Sequence, residues 1–282
     1  MTWSRRGRAV PSLALSGLAL AAFTTFADLG DARKLLQANQ PQKAAETLKQ
    51  LQAQTPGDPW LVYNLGVAAY AAKDYGQADQ IWQKLASREL PEKLRDRVWE
   101  QIGNVSFRKG EPVESSDPQS ARQLWEQSRE AYRIVLVTHP KDKTVQYNLK
   151  VVELRLARLH ARLAQQLLQE AQNKALEEQI QKMQAALDHQ RTAQNLEKEN
   201  PQYAQAVKQT EQQLAEKFNQ KAGQEEKTAD NAVKNANANE WERKHAQDSL
   251  RKALSDFQEA KALDPQNQPA QQGEKRVQDK LV

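Results

Sequence analysis

Four histidines, 36 acidic residues and no cysteine are the raw material for any chemistry this chain could carry out. His139, His160, His189 and His245 are scattered. None stands in a His-Glu-x-x-His pair, which would put two imidazoles on one helical face, and none has acids around it at metal-ligand spacing. They read as solvated or structural side chains. Without cysteine there is no disulfide, no thiolate metal site and no lipid-modified cysteine. No phosphate-binding G-x-x-x-x-G-K-[ST] loop, dinucleotide-binding G-x-G-x-x-G turn or G-x-S-x-G nucleophile elbow occurs. The acid pairs Glu177-Glu178 and Glu225-Glu226 lie in polar helical stretches, where charge is usually solvated, and no cleft for paired catalytic carboxylates can be read. Arg155, Arg158 and Arg162 form a basic stripe at helical spacing. They suit an acidic partner, lipid head groups or plain solvation. The residues therefore predict no cofactor, no metal site and no enzyme activity.

The elements that would position these groups are helices. The chain has 282 residues with 6% aromatics and a mean hydropathy of -0.87, so its apolar residues must be placed economically. Ten Gly and eleven Pro punctuate long runs of Ala, Gln, Glu, Lys and Leu, and β-branched alternation is nearly absent. The sequence pI of 9.2 invites a nucleic-acid reading, but residues 1–27 hold three arginines and no acid. Without them, 38 basic residues face 36 acidic ones, a net of +2. The basicity does not describe a phosphate-binding surface, so no nucleic acid is expected.

Residues 1–27 read as an export segment. Arg5, Arg6 and Arg8 precede an apolar run from Ala9 to Ala27, and Thr25-Phe26-Ala27 offers a small-x-small cleavage site. As a helix the run would span roughly 28 Å, marginal against a ~30 Å bilayer core. Pro11, Ser12, Ser16 and Gly17 favour cleavage over anchoring. The expected location is periplasmic or exported, with an inner-membrane anchor through residues 9–27 as the alternative.

A repeat organises the chain beyond this segment. Ala44, Leu48 and Leu51 recur as Ala78, Trp82 and Leu85, each pair 34 residues apart. Leu65, Ala69 and Ala72 on one helix would face Ala78, Ile81, Trp82 and Leu85 on the next, with Gly66 and Ala78 lacking bulk so that the backbones approach closely. "VWEQIGNVSFRKG" repeats the first-helix pattern with Ile102-Gly103. "GEPVESSDPQSA", with Pro112, Asp117 and Pro118, reads as an inserted exposed loop before the second helix. Tyr147-Asn148-Leu149 then echoes Tyr63-Asn64-Leu65, with Lys150 at the glycine position. Further on, Leu149, Val152, Leu156, Leu159 and Leu163 form a coiled-coil-like seam that Leu176, Ile180, Met183 and Leu187 continue.

Leu65-Gly66, Tyr70, Asp74-Tyr75, Ala78 and Trp82 stand where the tetratricopeptide (TPR) signature has its fixed residues, and the segment resembles a TPR unit. The resemblance implies an all-α fold: a helix-pair solenoid with a right-handed superhelix, followed by long polar or coiled-coil-like helices. The expected organisation is an export segment at 1–27, TPR pairs at 28–158, long helices at 159–218, a polar linker or loose helix at 219–240 and degenerate TPR-like helices at 241–282. The order of export segment, TPR units, "HPKDKTVQYNLKVVE" and a polar tail is also similar to the TPR proteins of bacterial aerotolerance (Bat) operons. That likeness implies a von Willebrand factor A-domain membrane protein among the partners.

TPR stacks bind proteins through the inner face of their first helices, so the resemblance implies a peptide or partner helix held by Trp60, Tyr63, Val67, Tyr70, Asn104, Phe107, Arg108, Tyr147, Val151 and Arg155, with sealing of one pair against the next as an equal reading for Tyr70 and Phe107. Glu100 lies on the same face. The cationic residues that clamp a carboxylate in some TPR proteins are replaced by Tyr63, Glu100 and Tyr147. The function expected is a non-catalytic periplasmic or envelope scaffold. The alternatives are a self-associating coiled-coil protein of the envelope and an accessory subunit of a cell-wall enzyme.

Overall fold

The computed structural model describes residues 29–234 and 239–281, and every regular element among them is an α-helix. The expected export segment at 1–27 lies outside the described residues. Within them, no helix is long and apolar enough to cross a membrane. The chain divides into two compact units, the first ending at Leu159 and the second beginning at His160.

In the first unit α1 (Leu29–Gln37), α2 (Pro41–Gln54), α3 (Pro59–Ala71), α4 (Tyr75–Ala86), α5 (Glu92–Val113) and α6 (Pro118–Thr138) each pack on the next, and α3 also touches α5. The start of α7 (Lys143–Ala171) completes the unit. Local chemistry sets the helix ends. Proline stands in the first turn of α2, α3 and α6, where its missing N–H has no partner to lose. Asp58, Asp74 and Asp117 cap α3, α4 and α6 by accepting from the Trp60, Gln77 and Ser120 amides at 2.8, 2.9 and 3.0 Å. Between α3 and α4, Lys73 turns left-handed at φ 62° while the Asp74 amide reaches back to the Ala69 carbonyl at 2.9 Å. So short a reversal leaves the two helices antiparallel and adjacent.

Close approach within the pairs is made by rings lying on glycines. A Cβ on Gly66 would fall 2.3 Å from Trp82 Nε1. The indole occupies that space and donates Nε1–H to the Tyr63 carbonyl at 3.2 Å. Glycine inside a helix costs about 1 kcal/mol, whereas burying an indole of roughly 200 Å² contributes up to about 5 kcal/mol. The exchange favours the seat. The α5–α6 pair has two such seats seven residues apart on each helix, Tyr132 on Gly103 and Trp125 on Gly110, and Trp125 Nε1 donates to the Phe107 carbonyl at 3.2 Å.

The second seat corrects the expected insertion loop. α5 continues to Val113 with Pro112 in its last turn, α6 opens at Pro118, and only Glu114–Asp117 lies between them. The extra residues lengthen both helices, because Gly110 and Trp125 give them one more buried contact to close. The expected leucine seam is also displaced. Leu149 and Leu163 are only half-buried, while Val145, Asn148, Val152, Leu156 and Leu159 are buried.

The second unit contains the rest of α7 with α8 (Leu176–Leu196), α9 (Pro201–Val233), α10 (Glu240–Leu263) and α11 (Gln268–Leu281). α9 packs on α8 and α10, and α11 on both α10 and α9. Ile180, Met183 and Leu187 belong to one core with Val207, Leu214, Phe218, Leu250, Phe257 and Val277. Of the segment 219–240, expected as a polar linker or loose helix, the part as far as Val233 forms the last turns of α9, with Ala222, Glu226 and Ala229 buried. Alanine is small enough to bury a face without a bulky apolar stripe. α10 opens on a capping box in which Asn239 and Glu242 each accept the other's amide, at 2.9 and 2.7 Å. Phe257 repeats the seat, its ring covering Gly273.

These seats set a stability contrast. Gly66→Ala should destabilise the protein by about 1–3 kcal/mol through overpacking against Trp82, whereas Gly223→Ala, with nothing within 4 Å of the new methyl, should stabilise it by about 0.5–1 kcal/mol through helix propensity. Urea unfolding followed by tryptophan fluorescence and by helical dichroism measures both, and equal effects would contradict the seat.

Candidate functional site

The first helices α3, α5 and α7 carry the face on which partner contacts were expected, and the structure divides the ten candidates in two. Five are sealed. Tyr63 is 1% exposed, with Trp60 edge-on at 6.2 Å and Trp82 at 6.3 Å. Burial raises its hydroxyl pKa well above the usual phenol value, and Arg97 beside it opposes the rise. Tyr70 lies between Tyr75 at 5.2 Å and Trp82 at 6.0 Å. The Arg108 guanidinium lies beside its hydroxyl, which burial also pushes up, without forming a well-aligned hydrogen bond. Phe107 is stacked on Trp125 with centroids 6.0 Å apart, and Val67 and Val151 are buried. These five seal helix against helix, which for Tyr63, Val67 and Val151 departs from the expected contact and for Tyr70 and Phe107 is the alternative reading. The physical reason for Tyr63 is the contact of α3 with α5, whose Arg97 and Gln101 reach its hydroxyl.

The other five keep some surface. Trp60 is half-buried with the Arg97 guanidinium 6.0 Å above its ring. Asn104 donates to Gln101 Oε1 at 3.2 Å and accepts from the Tyr132 hydroxyl at 2.7 Å. Arg108 pairs with Glu111 at 2.9 Å and Arg155 with Glu114 at 3.3 Å, so both arginines are largely neutralised within the chain. Tyr147 is the exposed one, at 43%.

A pocket of about 650 Å³ opens in the first unit, lined by Glu92, Lys93, Asp96, Arg97, Glu100, Val135, His139 and Asp142. α5 supplies two charged stripes at helical spacing, Glu92-Asp96-Glu100 and Lys93-Arg97. Asp96 is engaged by Arg95 at 3.2 Å, by Thr138 Oγ1 at 3.1 Å and by His139 Nδ1 at 3.1 Å. Asp142 caps α7 by accepting from the Thr144 and Val145 amides at 2.9 and 3.0 Å. Glu100 is different. Burial and then the charge of Asp142 push its carboxyl up to about 7, with Arg97 as the opposing influence. Such a group can take up a proton near neutral pH or receive a cation in its place. The sequence places Glu100 on this face, but Arg97, Asp96 and Asp142 were missed; the i, i+4 charge stripes of α5 were the available signal.

Residues 35–90 match the family model described as Tetratricopeptide repeat. This stretch is similar to a TPR segment. It covers the end of α1 through α4, including the Gly66–Trp82 seat. Among solved structures, the chain is similar to the TPR2AB domain of yeast Sti1 in a complex with pHSP90 (14% identity, 90% of this chain and 83% of that one, TM-score 0.39). It is also similar to a TPR repeats protein of Bacteroides fragilis (15%, 89% and 96%, TM-score 0.34) and to MamA of Desulfovibrio magneticus RS-1 (16%, 81% and 92%, TM-score 0.31). No curated protein matches the chain in sequence. Among the described residues, no group of three or more His, Cys, Asp or Glu is arranged to hold a metal ion.

The raised Glu100 carboxyl has a definite sign in stability. Its folded pKa of about 7 lies above the ordinary value of 4.5, so the folded state holds the proton between these values and stability falls as pH rises through that window. Glu100→Gln should stabilise the protein by about 1–3 kcal/mol at pH 8.5 and by almost nothing at pH 4. Urea midpoints at the two pH values measure this, and a pH-independent difference would be the contrary result.

Proposed function

We propose that the chain is a non-catalytic scaffold of the periplasm or cell envelope that holds a partner protein on the first-helix face of its first unit. The TPR segment supports an interaction scaffold in general, since stacked helix pairs present continuous surfaces that take peptides or helices. The observation that carries the particular site is the pocket at the start of α5 and α7, where burial and the nearby charge of Asp142 outweigh Arg97 at the Glu100 carboxyl. Four carboxylates there outnumber Lys93 and Arg97. A partner segment that brings a lysine or arginine to Glu100 would complete the charge balance, with Trp60 and Tyr147 offering flat apolar area for its neighbours. The apolar run of residues 1–27 supports the envelope location, and the Bat-type order of segments supports an A-domain membrane protein as the partner.

Site-specific photo-crosslinking in cells tests this reading. Crosslinkers at Lys93 and Tyr147 should trap one partner, which Glu100→Lys abolishes and Tyr147→Ala weakens about tenfold, with helical dichroism unchanged. Binding should tighten from pH 6 to pH 8 as Glu100 loses its proton. A partner trapped equally well with Glu100→Lys would overturn the site.

A further inference from the structure

Two histidines in the second unit face each other. His160 near the middle of α7 and His189 on α8 bring their Nδ1 atoms to 2.8 Å, with ring centroids 5.0 Å apart and the planes tilted by 48°. His160 is 4% exposed and His189 half-buried. Buried Ala164, Ala186 and Ala193 lie on the same two helices. Two imidazole nitrogens cannot sit this close with both lone pairs bare or with both protonated. Something positive must lie between them. A shared proton serves, with one ring donating Nδ1–H and the other accepting.

We propose that His160 and His189 also form a two-imidazole site for a divalent transition-metal ion of the Zn²⁺, Ni²⁺ or Cu²⁺ class, which replaces the shared proton. Neutral imidazole is the preferred nitrogen ligand of these ions, while Mg²⁺ and Ca²⁺ want oxygen. At metal–nitrogen distances of about 2.0–2.1 Å and a tetrahedral angle the two nitrogens would stand about 3.4 Å apart. The rings therefore need to separate by only about half an ångström from the distance they hold. Water would supply the remaining ligands. The other two histidines are engaged elsewhere, His139 with Asp96 at 3.1 Å and His245 edge-on to Trp241 at 4.4 Å. For both rings to ligate as neutral imidazoles, the donating ring moves its proton from Nδ1 to Nε2, so a neutral pair releases no proton, and binding weakens under acid conditions that protonate the rings.

Calorimetric titration of the untagged full chain with Ni²⁺ and with Cu²⁺ decides the matter. One ion per chain is expected, Cu²⁺ binding more tightly than Ni²⁺ and Mg²⁺ not at all. His189→Ala should weaken binding at least tenfold, whereas His245→Ala should leave it unchanged. Because His160 is buried, Co²⁺ absorption provides a second readout on the natural chain: tetrahedral-type visible bands should appear, and should be absent in His189→Ala. Unchanged binding in His189→Ala, or transfer of the loss to His245→Ala, overturns the proposal.

Discussion

The contact of the Trp82 indole with the bare backbone of Gly66 sets the distance between α3 and α4, and much of the first unit depends on that distance. The ring is held at both ends of its chemistry. Its apolar area is fully buried, and its one polar group donates to the Tyr63 carbonyl at 3.2 Å. A helix carbonyl has a second lone pair, so this bond costs α3 no hydrogen bond of its own. Trp125 repeats both features on Gly110 and Phe107, and Tyr132 covers Gly103 while its hydroxyl donates to Asn104. Each seat lets backbones approach until Ala- and Val-sized side chains fill the remaining space. A chain with few large apolar residues can thereby form a dense core.

The same economy narrows the partner face. Aromatics that seal helix pairs are closed to anything outside, which is why Tyr63, Tyr70 and Phe107 are buried. Arg108 and Arg155 are answered by Glu111 and Glu114, both contributed by the end of α5 and the turn after it. One end of the face is thus electrically closed from within. At the other end, where α5 and α7 begin, Glu100 remains without an ionic partner of full strength, because Arg97 divides its contacts between the Trp60 ring and the Tyr63 hydroxyl. The carboxyl with the strongest unmet demand for a cation therefore lies toward the start of α5.

The helix pairs were legible because their signals are local: the 34-residue period, and Gly66 and Ala78 as small residues between bulky ones. Side-chain fate was less so. Tyr63 and Tyr147 occupy the same place in their helices, yet one is 1% and the other 43% exposed. The difference lies in α5, whose Arg97 and Gln101 come over Tyr63, and neither period nor propensity states what the next helix carries. "GEPVESSDPQSA" misled for a related reason. Proline and paired serines mark a loop on average, but Pro112 in the last turn of α5 breaks few hydrogen bonds, and Gly110 beneath Trp125 favours continuing the helix. Residues 219–233 show the converse, since an alanine-lined face has too little contrast to be recognised as buried in a polar sequence.

The second unit shows what such a face requires. Its core mixes alanines with larger apolar side chains, and α11 buries Ala270, Gly273 and Val277, with Leu281 partly buried beside them. Apolar area of that size fixes a terminal helix weakly. The balance is supplied by Glu226, buried on α9, which receives Arg276 Nε and Nη2 at 3.2 and 2.9 Å and Lys280 Nζ at 2.9 Å. The Arg276 hydrogen bonds hold its carboxyl below the usual range despite burial. A carboxylate left there without both cations would carry an uncompensated desolvation cost. Arg276 and Lys280 therefore fix the register of α11 on α9 more sharply than its few apolar residues could, and the ring of Phe257 on Gly273 then has one position to occupy.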